Sequence, residues 1–101
     1  MSSGNTRGKT KKELQAALPH ECFWVNNGPI LSDLHELRNA LQKEITTEQF
    51  EYHVTPQKND FADWIENVLG DRSCAKTLRK VKKKETALKK VELCLNGYKK
   101  K

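Results

Sequence analysis

Residues 55–71, TPQKNDFADWIENVLGD, carry the strongest helix signal in the chain. Thr55 and Pro56 are the residue types of an N-cap and a first helical position, and Gly70 is typical of the left-handed residue that ends a helix. Between them the apolar residues repeat as on a helix that packs one face against a core: Phe61, Trp64, Ile65, Val68 and Leu69. We predict a core helix that begins after Thr55 and ends at Gly70.

The preceding part of the chain contains three further helix signals. Ser32 is a suitable N-cap for a helix with leucines along one face, and Thr46 with Gln49 fits the capping box of a short second helix. A short helix is also expected from Thr10 to Leu18, where Pro19 would end it because the residue before proline is pushed out of the α region.

The following part of the chain indicates two more helices. Asp71 can cap a helix that starts directly after the core helix, and a last helix would close at Asn96-Gly97. The apolar repeat pauses around residues 82–85, where we expect a turn or a junction between the two helices.

Residues 22–25 are aromatic and β-branched, and they lead into the turn at residues 26–29. Because no other segment looks like a partner strand, we predict an extended segment that places aromatic side chains in the core. The predicted fold class is all-α, a single small bundle of four to five helices with this extended segment, disordered basic termini, and Trp24 and Trp64 in the core. Its parts are a basic arm at 1–9, a helical domain at 10–96 and a basic tail at 97–101.

The composition suits one small domain of 101 residues, with 36% hydrophobic and 32% charged residues. No apolar run approaches the roughly 20 residues that a membrane-spanning helix needs, and the first twelve residues lack the apolar stretch of a secretory signal. Cys22, Cys74 and Cys94 are an odd number without a CxxC pair, which favours free thiols in a reducing compartment. We therefore expect a cytoplasmic protein. His20 and Cys22 lack the spacing of zinc ligands, so no metal and no cofactor is predicted.

The charge is strongly segregated along the chain, whose net charge is +6. Residues 1–13 have four basic residues and one acidic residue, residues 14–71 have three basic and ten acidic residues, and residues 72–101 have twelve basic and two acidic residues. An acidic body thus lies between two basic ends. Such asymmetry indicates a polyanionic partner, which is a nucleic acid or an anionic membrane surface.

The sequence also resembles a known family. The residues that carry the likeness are Phe23-Trp24-Val25, Gly28, Leu34, Leu37, Phe50, Tyr52-His53-Val54, Lys58-Asn59-Asp60-Phe61, Trp64-Ile65 and Val68-Leu69-Gly70-Asp71. In this order they are similar to a family of small helical domains of unknown function, found mainly in archaeal and bacterial proteins. The resemblance covers residues 19–93. It implies a compact helical domain, and it implies no activity, substrate or cofactor.

Four polar residues of that signature are open to two interpretations: His53, Lys58, Asn59 and Asp60. As a ligand site, His53 and Asp60 would handle protons while Lys58 holds an anion. As structural groups, they would cap and join helices, which we favour because Asn and Asp at helix starts routinely cap. The sequence shows neither a nucleophile spaced with a base nor a glycine-rich phosphate loop, so we predict that the protein is not an enzyme.

The basic C-terminal third carries the functional prediction. At 100° per residue, one sector of this helical region collects Lys76, Arg79, Lys80, Lys83 and Lys90, with an apolar sector beside it. The basic face is continuous provided that the junction at residues 82–85 does not rotate the second helix. Such a face can follow a phosphate backbone, so we predict nucleic-acid binding, with duplex DNA favoured over RNA and little sequence preference. A flexible grip would come from the lysines at 99–101 and from Arg7, Lys9, Lys11 and Lys12.

Three other interpretations remain open. The lysine face can be a solvated surface that covers the core. The acidic middle, with Asp60, Asp63 and Glu66 on one helix face, can make the protein an interaction module that docks a basic partner. Attachment to an anionic membrane surface is weaker, because the apolar sector of the basic helix lacks Trp and Phe.

Overall fold

The computed structural model describes residues 16–98, and these form one short 3₁₀ helix (Pro19–Glu21), five α-helices and two short β-hairpins. The helices are α1 (Leu34–Lys43), α2 (Thr47–His53), α3 (Asp60–Asn67), α4 (Arg72–Leu78) and α5 (Lys84–Leu95). The strands are β1 (Phe23–Trp24), β2 (Ile30–Leu31), β3 (Val54–Thr55) and β4 (Lys58–Asn59). The predicted mostly helical fold is confirmed, but the protein is not purely all-α because each hairpin forms a two-stranded antiparallel sheet.

The core is formed where α5 packs against α1 and α4, and α4 packs against α3. An aromatic stack links the first hairpin to the helices, with ring centroids 4.7 Å apart for Phe23 and Phe61 and 5.6 Å apart for Phe50 and Phe61. Trp64 meets Phe23 edge-on and is buried, as predicted, and its indole N–H donates to the Glu21 carbonyl at 2.8 Å. Ring stacking therefore fastens the N-terminal hairpin to α3.

The first hairpin corrects the prediction that the aromatic segment has no partner strand. Phe23 pairs with Leu31 and Trp24 pairs with Ile30, across a turn in which Asn27 adopts a left-handed φ of 57°. Successive strand residues face opposite sides, so Phe23 is buried while the Trp24 side chain is 69% exposed. The prediction of Trp24 in the core is wrong for this reason.

The second hairpin corrects the predicted start of the core helix. Thr55 and Pro56 lie in a hairpin, where the Thr55 hydroxyl accepts from the backbone N–H groups of Gln57 and Lys58, both at 3.2 Å. A local side-chain hydrogen bond of this kind competes with helix initiation. The helix α3 begins at Asp60, with Asn59 as its N-cap. It ends at Asn67 with Val68 as its C-cap, three positions before the predicted end, and Gly70 has the predicted left-handed conformation with a φ of 75°.

The other caps mostly agree with the sequence prediction. The capping box of Thr46 and Gln49 is confirmed, with both reciprocal hydrogen bonds present. Asp71 caps α4 by accepting from the Cys74 N–H at 3.0 Å, also as predicted. For α1 the N-cap is Asp33 rather than Ser32, because the Asp33 carboxylate accepts from the Glu36 N–H at 2.8 Å.

The break expected between the last two helices is present, but it lies at residues 79–83 and so begins a few positions before the predicted 82–85. We call this segment the basic connection. The helix α4 ends at Leu78, and the Val81 N–H bonds to the Leu78 carbonyl at 3.0 Å in a tight turn. Val81 is only 3% exposed, so its burial pulls the chain inward and breaks the helix there. The new helix α5 starts at Lys84, whose ammonium donates to the Ile45 carbonyl at 2.8 Å.

A disulfide joins Cys74 on α4 to Cys94 on α5, with Cα atoms 5.7 Å apart. The prediction of three free cysteines is therefore wrong, because the consecutive helices α4 and α5 pack side by side and bring two of the thiols together. Cys22 is free. This pairing removes one argument for a reducing compartment, and the cytoplasmic location stays a prediction. No helix within residues 16–98 is long and apolar enough to cross a bilayer.

The two ends of the chain lie largely outside residues 16–98. The basic arm at 1–9, most of the helix predicted over Thr10–Leu18 and the last three lysines lie outside the described residues. Residues 16–18 are not helical, and the Ala17 N–H bonds to the Ser32 carbonyl at 2.7 Å. At the other end, buried Tyr98 donates its hydroxyl to Asp71, so the packed body reaches into the stretch predicted as a tail.

Candidate nucleic-acid interface

The structure distributes the predicted basic residues over two helices and the connection between them. Lys76 is exposed on α4, Lys80 and Lys83 are exposed in the basic connection, and Lys90 is half-buried on α5. Lys76 and Arg79 line one groove, whereas Lys90 lines a different groove between α4 and α5. The five residues therefore do not form one helical face. The four predicted residues of the N-terminal arm lie outside residues 16–98: Arg7, Lys9, Lys11 and Lys12.

Arg79 is engaged within the fold. Its guanidinium donates to the Asp63 carboxylate at 2.8 Å and to the Glu66 carboxylate at 2.7 Å. The hydrogen bond to Glu66, followed by the one to Asp63, raises the pKa of Arg79, and the bond from Arg79 lowers the pKa of Glu66. Arg79 thus ties the end of α4 to α3, and its charge is already balanced by two carboxylates.

The exposed lysines next to Arg79 are different. In the described part of the chain no acidic side chain lies within 4.0 Å of the ammonium groups of Lys80, Lys82 or Lys83. The same is true of Lys76 on α4. Three unpaired cations thus lie within four consecutive positions, where their mutual repulsion is offset by solvent and counterions alone.

A groove beside the basic connection brings together two lysines that the sequence prediction did not place in the nucleic-acid interface. It has a volume of about 180 Å³ and lies between the second hairpin and the connection. Lys58 and Lys82 line it together with Arg79. Lys82 falls outside the sector calculated for a continuous helix, and Lys58 comes from a hairpin 24 positions earlier in the sequence. Helical periodicity does not predict that Lys58 and Lys82 lie together, because only the tertiary fold brings them to the same groove.

His53 and Asp60 link the two hairpins. The Asn26 N–H donates to Nε2 of His53 at 3.0 Å, so the ring proton lies on Nδ1, which donates to Asp60 at 2.9 Å. Lys58 reaches the same carboxylate oxygen at 3.1 Å. Both ring nitrogens of His53 are therefore occupied, and no hydroxyl or thiol of residues 16–98 bonds to them.

Asn59 also has a role within the fold. Its side-chain carbonyl accepts from the Ala62 N–H at 2.9 Å, and its amide donates to the Leu78 carbonyl at 2.8 Å. One buried side chain thus caps the start of α3 and the end of α4. Together with the bonds of His53 and Asp60, this arrangement is what the structural interpretation of the polar signature requires.

Each carboxylate on the acidic face of α3 is paired with a cation of the same chain. Asp60 pairs with Lys58, and Asp63 and Glu66 pair with Arg79. A basic partner would have to displace these contacts before it could use the carboxylates. The geometry therefore favours the basic connection over the acidic face as an interaction surface.

Comparison with known proteins adds no assignment, since no family model, no curated protein and no solved structure matches this chain. Within residues 16–98 no three potential ligand side chains come together as a metal site would require. The functional proposal therefore depends on the geometry of the described residues.

Proposed function

We propose that the protein binds nucleic acid by contacting the phosphate backbone with the basic connection, with duplex DNA as the favoured form. The observation that carries this proposal is the contrast within residues 79–83. Arg79 is held by two carboxylates, whereas Lys80, Lys82 and Lys83 are exposed and unpaired within the described chain. Cations that repel one another in the free protein gain the most favourable free energy when they contact a polyanion.

Binding is driven by the release of counterions from the phosphates. Each lysine that reaches a phosphate replaces condensed cations, whose release into bulk solvent supplies the free energy. Lys76, exposed on α4 three positions before the connection, adds a further contact. The lysines and arginine at positions 7–12 would add further contacts of the same kind.

The site favours contacts to phosphates over contacts to bases. Base recognition relies on paired hydrogen bonds from Arg, Asn or Gln side chains aimed into a groove. Arg79, the single arginine of the basic connection, is engaged with Asp63 and Glu66. We therefore expect weak discrimination between sequences.

The test is a charge-reversal pair with a matched control. Lys80→Glu with Lys83→Glu should weaken binding to a labelled 30-base-pair duplex by more than about tenfold at 50 mM salt, read by fluorescence anisotropy. The control, Lys43→Glu with Lys89→Glu, changes the net charge equally at exposed positions outside residues 76–83. It should weaken binding less than about threefold. Equal losses in the two double variants would refute a localised interface.

A further inference from the structure

The disulfide closes the loop that contains the candidate interface. Cys74 and Cys94 are 20 positions apart, and the exposed lysines from Lys76 to Lys83 lie between them. The bond connects α4 to α5 on the two sides of the basic connection. The connection therefore lies in a covalently closed loop, in addition to the contacts of Val81 and Lys84 that hold it against the core.

The two sulfur atoms of this bond differ in access. Cys74 is 2% exposed, whereas Cys94 is only partly buried. Both line an open groove of about 420 Å³ between the two helices. An external thiolate can thus approach Sγ of Cys94 from the groove, with the buried Cys74 sulfur as the leaving group.

The groove also has a cationic residue beside the accessible sulfur. Lys90 lines the same groove and precedes Cys94 by four positions on α5, so the two residues share one helix face. An ammonium group at this place attracts an anionic thiol more strongly than a neutral one. The small tripeptide thiol glutathione, which is anionic at neutral pH, has the required chemistry.

We infer that Cys74–Cys94 is a reversible thiol–disulfide site for small anionic thiols, and that its state controls the order of the basic connection. The thiolate attacks Sγ of Cys94, the Cys74–Cys94 bond breaks, and the Cys74 thiolate takes a proton from water. A second thiol then attacks the mixed disulfide and releases Cys94 as a thiol. In total two small thiols are oxidised to one disulfide while the protein disulfide is reduced to two thiols.

Reduction should loosen the connection without unfolding the protein. Buried Val81 and the bond from Asn59 to the Leu78 carbonyl continue to hold the end of α4. The ion pairs of Arg79 also remain. What is lost is the covalent closure of the loop, which restricts the conformations open to the residues between the cysteines.

The first experiment follows the two thiols in a Cys22→Ser background, which removes the free thiol. At a few millimolar reduced glutathione, with circular dichroism still native, alkylation followed by mass spectrometry should detect two new thiols. Amide hydrogen exchange at residues 79–83 should then speed up at least tenfold, and exchange in α3 should change much less. A disulfide that glutathione opens only after denaturant unfolds the protein would overturn the inference. Unchanged exchange after reduction would overturn it as well.

The second experiment tests the role of Lys90. In the variant Lys90→Glu the rate of reduction by glutathione, whose attacking thiolate carries two net negative charges, should fall at least threefold. The rate with 2-mercaptoethanol, whose thiolate carries one negative charge, should fall by a smaller factor. The variant Lys89→Glu, with the same charge change one position away, should leave both rates unchanged. Equal effects of the two variants on the glutathione rate would refute a site built around Lys90.

A third readout links this site to DNA binding and rests on the proposed function. The reduced protein should bind the 30-base-pair duplex at least threefold more weakly than the oxidised protein, because the connection is no longer preorganised. Equal affinities would overturn control of binding by the disulfide. An oxidised protein that does not bind the duplex refutes the proposed function instead, while alkylation and hydrogen exchange still decide whether the thiol site exists.

Discussion

Asn59 is the residue whose side chain joins the most elements of the candidate site. It belongs to β4, caps α3 and donates to the last carbonyl of α4. Asn59→Ala removes the cap and leaves the buried Leu78 carbonyl without this donor. We expect a loss of about 2–4 kcal/mol in the free energy of unfolding, measured by urea denaturation. The control Asn67→Ala, at an exposed position at the end of α3, should change it by less than about 0.5 kcal/mol.

Tyr98 makes the stability of the protein sensitive to alkaline pH. Burial of the phenol, with the hydrogen bond to Asp71 and the charge of Asp71, raises the pKa of Tyr98 well above its ordinary value of 10.0. Above pH 10 the unfolded chain loses this proton while the native protein keeps it. The contribution of Tyr98 is therefore complete below pH 10 and is lost as the pH rises further.

The direction of this pH dependence can be measured by urea denaturation between pH 10 and 11.5. Native protein should lose up to about 1.4 kcal/mol more per pH unit than the variant Tyr98→Phe, which lacks the titrating group. Tyr98→Phe is expected to be the less stable protein at pH 7. Removing the exposed phenol with Tyr52→Phe should leave the slope as it is in the native protein. Parallel slopes for native protein and Tyr98→Phe would contradict this account.

At the scale of single residues, sequence reasoning succeeded where one local contact decides the outcome. Thr46 with Gln49 and Asp71 have the predicted capping roles, and Gly70 has the predicted left-handed backbone. It failed for Trp24, because burial there depends on the face of a hairpin whose second strand has only two residues. It failed for Cys74 and Cys94 because no local pattern reveals that α4 and α5 lie side by side.

At the scale of elements, the first hairpin depends on a close approach at Gly28. A Cβ atom built there would lie 2.8 Å from Cγ1 of Val25 and 3.1 Å from Nε2 of Gln49. Nε2 of Gln49 also donates to the Asn26 and Asn27 carbonyls, at 3.0 and 2.9 Å, and so fastens the hairpin turn to α2. A side chain at position 28 would therefore disturb both the turn and its attachment.

The matched pair Gly28→Ala and Gly97→Ala tests this close approach. We expect Gly28→Ala to lower the free energy of unfolding by about 1–3 kcal/mol, as overpacking does. At Gly97 the nearest atom is the Cys94 carbonyl oxygen at 3.4 Å from the added Cβ, so Gly97→Ala should be close to neutral. Thermal unfolding followed by circular dichroism compares the two variants. If the Gly28→Ala protein is as stable as the Gly97→Ala protein, the turn accommodates the added methyl group without loss of stability, which contradicts this prediction.

The two largest errors of the sequence prediction concern the boundaries of elements. Helical periodicity extends α4 as far as Val81, which fits the apolar repeat, and places the junction at residues 82–85, whereas α4 ends at Leu78. The break depends on Val81 entering the core and on Lys84 reaching the Ile45 carbonyl, which are contacts with distant elements. Thr55-Pro56 is similar, because the same two residues are compatible with a helix start and with the hairpin turn that forms.

At the scale of the whole molecule, folding separates the charged side chains into two groups, those paired with each other and those left unpaired. The carboxylates of α3 are paired with Arg79 and Lys58, and the lysines that remain unpaired within residues 16–98 include the run in the basic connection. The sequence predicts the excess of positive charge in this region. Which cations stay free depends on the packing of α3 against α4, so only the structure distinguishes Lys80, Lys82 and Lys83 from Arg79.

The salt dependence of duplex binding tests the central claim most directly. If about six basic side chains reach phosphates, the slope of log K against log salt concentration should be near −5, so affinity falls about a thousandfold between 50 and 200 mM salt. Lys80→Glu with Lys83→Glu should reduce the steepness by about two. Micromolar binding with this slope, measured by anisotropy on the full chain, is the predicted result. No binding at 50 mM salt, or a slope near zero, would contradict the account.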